Sequence, residues 1–204
     1  MDAPSARRRM VDGLPVRDER VRQALLDVPR EAFVASDPYA DSPQPIGAGQ
    51  TISAPHMVAI MAEALDVRAG MRVLEVGGGS GYHAAVLARL ADPGVVVSVE
   101  YVPELAARAR DTLRRLGIAN VEVVEGDGSV GHAPRAPYDR ISVAAGAPRV
   151  PPPLVAQLAA GGQMLIPVGP LDMQTLVRVH ADGREEPMMA VRFVPLLGEH
   201  GWRT

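Results

Sequence analysis

A short apolar run ending in Glu75-Val76 opens directly into Gly77-Gly78-Gly79-Ser80-Gly81, and an alanine-rich stretch of helical spacing follows. Glycines at a strand-to-helix junction let the chain turn tightly and let a ligand approach the main chain without a Cβ in the way. Two more carboxylates stand at comparable places downstream. Glu100 closes the next apolar run, where a carboxylate can accept hydrogen bonds from both hydroxyls of a ribose. Asp127, in Glu125-Gly126-Asp127-Gly128, closes the run after that and can accept from an adenine amino group. Each acid taken singly reads as a solvated strand end. Three in register read as the grip on an adenosine-bearing cofactor.

Two kinds of cofactor fit those residues. Gly79, Gly81 and Ala84 satisfy the pattern Gly-x-Gly-x-x-Gly/Ala, so a nicotinamide-dependent oxidoreductase is one reading. An acid placed like Glu75, beside the turn that would hold a methionyl group, and another after the third strand are typical instead of methyltransferases. Other chemistries drop out. An esterase elbow around Ser80 needs glycine where Tyr82 stands, and no lysine follows the glycines as a phosphate loop requires. His56, His83, His132, His180 and His200 are too scattered for a local metal motif, and no metal is expected. The absence of cysteine excludes disulfides and thiolate metal sites and is compatible with a reducing compartment.

The elements that must position these groups follow from periodicity. Residues 1–16 read as a flexible tail, with Arg7, Arg8 and Arg9 solvated, ahead of a single domain over 17–204. A helix is expected over 17–28, where Val21, Leu25 and Val28 recur at helical spacing, and an ordered loop over 37–49, rich in proline and glycine. Ser53 is placed to cap a further helix with Pro55 in its first turn. From residue 71 the pattern alternates: strand 73–76, helix 82–90, strand 95–99, a helix from Pro103 closed by Gly117, strands 121–124 and 141–145, helix 154–160 and strand 164–168. Such alternation implies right-handed crossovers and a mostly parallel twisted sheet with helices on both faces, a Rossmann-like α/β fold. Strand-like 175–179 and 189–194, joined through Asp182-Gly183, add an antiparallel C-terminal hairpin.

Composition narrows the partners. Hydrophobic residues make up 47% and charged residues 22% of the 204, ordinary for a globular domain. A formal net charge of −3 supplies no field for nucleic acid or anionic lipid, and 3% aromatics leave few stacking platforms. Neither nucleic acid nor membrane is an expected partner. No apolar run approaches the roughly 20 residues of a spanning helix, and none follows the N-terminal arginines as a secretory signal would require. A cytoplasmic monomer is expected.

Segments outside the glycine loop carry a family resemblance. Pro29-Arg30-Glu31-Ala32-Phe33-Val34, the run over 41–57 ending in Thr51-Ile52-Ser53-Ala54-Pro55-His56-Met57, Glu125-Gly126-Asp127-Gly128, Pro137-Tyr138-Asp139 and Phe193-Val194-Pro195-Leu196 resemble protein-L-isoaspartate O-methyltransferases, class I S-adenosylmethionine enzymes. The likeness runs from about residue 20 to Trp202, and the Thr-Ile-Ser-Ala-Pro-His segment is its most specific part. It implies methyl transfer from S-adenosylmethionine to the free α-carboxylate of isoaspartyl residues in damaged proteins and peptides, with S-adenosylhomocysteine as product. The ester then recloses to a succinimide, and hydrolysis returns part of it to aspartate. A carboxylate of pKa about 3.5 is already ionised, so such chemistry needs no general base. By resemblance Ser53 is catalytic; Thr51, Ile52, Ser53, Glu100, Tyr101, Asp127 and Gly128 meet the cofactor; and Ala54, His56, Val194, Leu196 and Leu197 form the peptide cleft. A helix cap for Ser53 and a structural hydrogen-bonded role for His56 are the plainer alternatives. The first glycine pair departs from the common Gly-Thr, which should leave cofactor binding intact, whereas Val58 in place of a histidine of some members and Leu197 in place of a polar residue put details of substrate contact in question. Relatives that methylate one aspartate of a peptide precursor are the alternative within this chemistry.

Overall fold

The computed structural model describes residues 2–203. Two short strands, β1 (Gln44–Gly47) and β2 (Gln50–Ile52), precede a seven-stranded sheet of β3 (Arg72–Val76), β4 (Val95–Glu100), β5 (Val121–Glu125), β6 (Tyr138–Val143), β7 (Leu158–Val168), β8 (Gln174–His180) and β9 (Glu185–Val191). The helices are α1 (Ala3–Asp12), α2 (Glu19–Asp27), α3 (Pro55–Leu65), α4 (Tyr82–Ala91), α5 (Pro103–Arg115) and the one-turn α6 (Pro152–Ala156). Sheet order is β5-β4-β3-β6-β7-β8-β9, parallel from β5 to β7 and antiparallel for β8 and β9. This is the expected Rossmann-like α/β architecture with its antiparallel C-terminal hairpin.

Strand periodicity divides the core. In β3, Val73 packs on one face with Ala84, Leu87 and Leu105, while Leu74 and Val76 pack on the other with Val97, Val99 and Ile141. Glu75 shares the face of Val73, so alternation buries a carboxyl beneath α4. The chain runs from β3 to β4 and β5 on one side, then returns to β6 on the other. That reversal opens a crevice at the strand ends, the expected place for a ligand in such sheets.

Several expectations are corrected. Of the expected tail, residues 2–16 are not flexible: 3–12 is helical, Asp2 caps it by accepting from Ser5 N–H at 2.9 Å, and Met10 and Val11 are buried. Arg7, expected in solvent, donates to the Leu26 carbonyl at 2.7 Å and pairs with Glu31. Met1 at one end and Thr204 at the other lie outside the described residues. The loop over 37–49 contains β1, which pairs with β2 through a turn of positive φ at Gly47, Ala48 and Gly49. The helix expected over 154–160 stops at Ala156, and residues from Leu158 join β7. There, pairing of Tyr138 with Leu158 and of Arg140 with Gln163 spans a bulge that includes Gly161. Main-chain pairing outweighs alanine's helix preference. The last strand starts at Glu185 rather than 189, since an edge strand tolerates Pro187, and ends at Val191.

Candidate active site

Where β3, β4 and β6 end, the crevice holds an inner cavity of about 890 Å³ counting its open mouth, within the size range of small-molecule sites. Its floor is the glycine turn from Gly77 to Ser80. Glu75 and Glu100 stand at the ends of neighbouring strands, Tyr101 is at the rim, and the β2 segment lies across the top. In this chain Gly78 leaves room for the Ser98 hydroxyl, which a Cβ there would displace from beside Glu75.

The two acids differ in environment. Glu75 is fully buried, and its Oε2 accepts from the hydroxyl of Ser98, its register partner on β4, at 2.5 Å. Its Oε1 has no hydrogen-bond partner among the described residues, although His83 Nδ1 of α4 lies 3.5 Å away. Burial, aided by the nearby charge of Glu100 and opposed by the Ser98 hydrogen bond, pushes the Glu75 carboxyl up to about 8. Burial pushes His83 down to about 4. At neutral pH the pair is therefore mostly a neutral acid beside a neutral imidazole, not an ion pair. Glu100 is a clamp: Oε2 accepts from Gly79 N–H at 2.7 Å and Oε1 from Val102 N–H at 2.8 Å. Each carboxylate oxygen keeps a lone pair for a ligand hydroxyl.

An outer cleft adjoins the inner cavity and contains Pro43, Ala54, His56 and the chain from Met189 to Val194. Thr51, Ser53, Ala144 and Val194 line both spaces. Ser53 is not the cap of α3. Ala54 holds the cap position without a side-chain bond, and Asp41 satisfies the helix start by accepting from His56 N–H at 2.9 Å. The same carboxylate pairs with His56 Nδ1 at 2.8 Å, so this half-exposed ring is oriented by Asp41. An acceptor recruited from another loop outcompetes the local serine.

The C-terminal segment forms the far wall. Gly146 N–H donates to the Val194 carbonyl and Leu196 N–H to the Gly146 carbonyl, each at 2.8 Å, while Trp202 Nε1 donates to Gly146 at 3.0 Å. Leu196 and Leu197, expected on the substrate side, instead line the inner cavity beside Gly128; Val194 alone reaches the outer cleft as well. The segment folds back through Trp202 N–H, which donates to the Leu196 carbonyl at 2.7 Å, and this turns both leucines inward. Asp127, expected at the adenine, does not line the cavity. Its Oδ1 accepts from the Ser129 N–H and hydroxyl and its Oδ2 from Glu199 N–H at 2.8 Å, which pins the C-terminal segment. Burial alone would raise this carboxyl, but those donors hold it below the usual range. Gly198 packs against it at φ +134°, and a Cβ there would overlap the carboxylate. Gly198→Ala is expected to cost about 2–3 kcal/mol and to lower Tm by roughly 5–10 °C, read in a thermal melt. An unchanged Tm would remove Asp127 as a fastener.

Of the remaining expected contacts, Thr51, Ile52, Ser53, Glu75, Gly77, Gly79, Glu100, Tyr101 and Gly128 converge on the inner cavity, and Ala54 and His56 on the outer cleft. Gly81 does not reach the cavity: it starts α4 at φ +86° and packs against Ala109 of α5. Sequence reasoning missed Met61, Tyr82, His83 and Ala144 as walls, since none belongs to a cofactor pattern of its own. Among the described residues no cluster of His, Cys, Asp or Glu is suited to a metal, and no helix is long and apolar enough to cross a membrane.

A mostly parallel sheet with a glycine turn and strand-end acids is the fold and site of class I S-adenosylmethionine-dependent methyltransferases, and the orphaned Glu75 oxygen and glycine cradle fit that cofactor. The family model for protein-L-isoaspartate(D-aspartate) O-methyltransferase matches residues 9–201. The protein-L-isoaspartate O-methyltransferase of Methanothrix thermoacetophila is 54% identical, the alignment covering 91% of each chain. That of Hyperthermus butylicus is 51% identical over 97% of this chain and 91% of its own. A Plasmodium falciparum protein-L-isoaspartate O-methyltransferase structure, solved with S-adenosyl-L-homocysteine, superposes with a TM-score of 0.86 at 27% identity, over 94% of this chain and 98% of its own. The chain belongs to the protein-L-isoaspartate(D-aspartate) O-methyltransferase family. The oxidoreductase alternative falls with that assignment.

Proposed function

We propose that this protein methylates the free α-carboxylate of L-isoaspartyl residues in damaged proteins and peptides and so starts their repair through a succinimide. The carrying observation is the wall shared by the two spaces: Thr51, Ser53, Ala144 and Val194 border both, so a donor in one and an acceptor in the other meet at these residues. S-adenosylmethionine, when bound, supplies an electrophilic methyl group on a sulfonium. Glu100 and the glycine turn would hold its nucleoside, and Glu75 would face its amino-acid end. Asp127 remains a candidate for the adenine edge through a free lone pair, and Gly128 through the cavity wall.

An acceptor carboxylate at this wall would already be ionised, so the chain need move no proton. What the chain supplies is alignment and exclusion of water, and alignment alone is worth roughly 7–11 kcal/mol in favourable cases. Val194 and the buried Ile52 and Ala54 make this region apolar. Residues of a single chain wall both spaces, so a monomer would suffice for the reaction.

The deciding experiment compares a synthetic isoaspartyl peptide with its aspartyl twin in a methyl-transfer assay. Methylation of the first alone is expected. Equal labelling, or labelling only of an aspartyl sequence, favours the precursor-modifying alternative. Because Asp41 rather than Ser53 serves the helix start, Ser53→Ala should leave Tm within about 2 °C of wild type and cofactor Kd within about twofold while kcat falls roughly tenfold or more. Unchanged kcat would remove Ser53 from the reaction.

A further inference from the structure

Arg30 is fully buried in the 3-10 turn Arg30–Ala32, yet no carboxylate pairs with it among the described residues. Its Nε donates to the Pro38 carbonyl at 2.8 Å and its Nη2 to the Ser53 carbonyl at 2.9 Å, while Nη1 has no partner. The guanidinium carbon lies 4.9 Å from the centre of the Tyr82 ring, and Phe33 packs edge-on against that ring. Tyr82, like Ser53, lines the inner cavity. One cation thus ties together the 30–38 loop, the Ser53 segment and the start of α4.

A buried cation without an acid partner is costly, and packing alone is served better by an apolar side chain of similar volume. Favourable electrostatics come first from Tyr82 and then from Asp41, the one carboxylate among them, which is half-exposed and already engaged with His56. What the guanidinium provides that a methionine would not is a fixed fork on two carbonyls and an uncompensated positive charge. Both act on the wall where the two spaces meet. With its carbonyl held from behind, Ser53 is fixed in the backbone orientation that places it on both the cavity and the cleft.

We propose that Arg30 is a positioning residue for methyl transfer: it holds Ser53 at the wall common to both spaces, and its charge behind that wall favours an anionic acceptor there. This rests on the reading of the outer cleft as the place of a carboxylate acceptor. The fork and the charge are separable by substitution. Lysine restores the charge but, as a single ammonium, cannot span both carbonyls in the guanidinium's geometry, and methionine keeps volume with neither.

The test measures kcat and KM for an isoaspartyl peptide, together with S-adenosylmethionine Kd, for wild type, Arg30→Met and Arg30→Lys, well below each Tm. For Arg30→Met, kcat is expected to fall and KM to rise by about tenfold each, with cofactor Kd within about twofold. Arg30→Lys is expected to return KM to within about threefold of wild type while kcat stays low. If Arg30→Met does not fold, this split in Arg30→Lys carries the test alone. Variants that differ from wild type only in Tm overturn the proposal, as does a parallel rise in cofactor Kd, which would mean a general loosening of the site. A wild-type enzyme inactive on the peptide would instead overturn the repair reading, and this proposal with it.

Discussion

Glu100→Ala is expected to raise the dissociation constant of S-adenosylmethionine by about two to four orders of magnitude. The carboxylate accepts from Gly79 N–H in the turn and Val102 N–H at the start of α5, and it borders the cavity at 6% exposure. Removing it takes away charge-assisted acceptors for the ribose and releases the turn that must lie against the ligand. Hydrogen bonds to charged groups contribute roughly 1.5–3 kcal/mol each, and two give about 3–6 kcal/mol, a factor of about 10² to 10⁴. Glu100→Gln separates the parts. One amide oxygen can still accept, but the NH₂ end faces a backbone donor, so an intermediate loss of about tenfold is expected. Titration calorimetry reads both, and an alanine variant that binds as tightly as wild type would sink the ribose assignment.

Features set by local rules are legible in the chain itself. The glycine turn, Glu75 and Glu100 lie at junctions where strand spacing changes to helix spacing, so their place follows from the alternation. Features set by distant partners are not. Nothing near Ser53 reveals that Asp41 reaches across to His56 N–H and takes over the cap. Helix α1 is hidden because its apolar side amounts to little more than Met10 and Val11 amid arginines, and it holds through packing on α2. Strand β1 is hidden by its proline and glycines, which mark a loop in isolation but suit a two-stranded hairpin with a positive-φ turn.

The site itself divides the same way. Leu196 and Leu197 face the inner cavity because Trp202 and Gly146 fold the C-terminal segment back, a register no periodicity encodes. Asp127 sits where strand order puts it, yet three of its acceptor positions are taken by Ser129 and Glu199. Arg30 belongs to a segment recognisable by resemblance, and only burial shows a cation behind Ser53.

The second large effect expected is on pH dependence, through Glu75. Its carboxyl titrates near 8 in the fold and near 4.5 unfolded, so between these values the folded state binds more protons and stability falls as pH rises. His83 has the opposite slope: its folded value near 4 lies below the ordinary 6.5, so the unfolded state binds more protons in that window and stability rises with pH. The two oppose each other between about 4.5 and 6.5, while above 6.5 only the Glu75 slope continues. Glu75→Gln keeps an acceptor for Ser98 and removes the titration. Its Tm should match wild type within a few degrees near pH 5 and exceed it by roughly 5 °C or more near pH 8, with the wild-type decline between pH 6.5 and 8 flattened. The same variant should bind S-adenosylmethionine at least about tenfold more weakly, because the carboxyl group that a ligand ammonium would draw into its ionised form is gone. Stability and affinity thus move in opposite directions, the mark of a group kept against its own solvation for a ligand's sake. Parallel Tm curves for the two proteins across pH 6.5–8 would show that Glu75 is ionised in the fold and that its burial costs nothing.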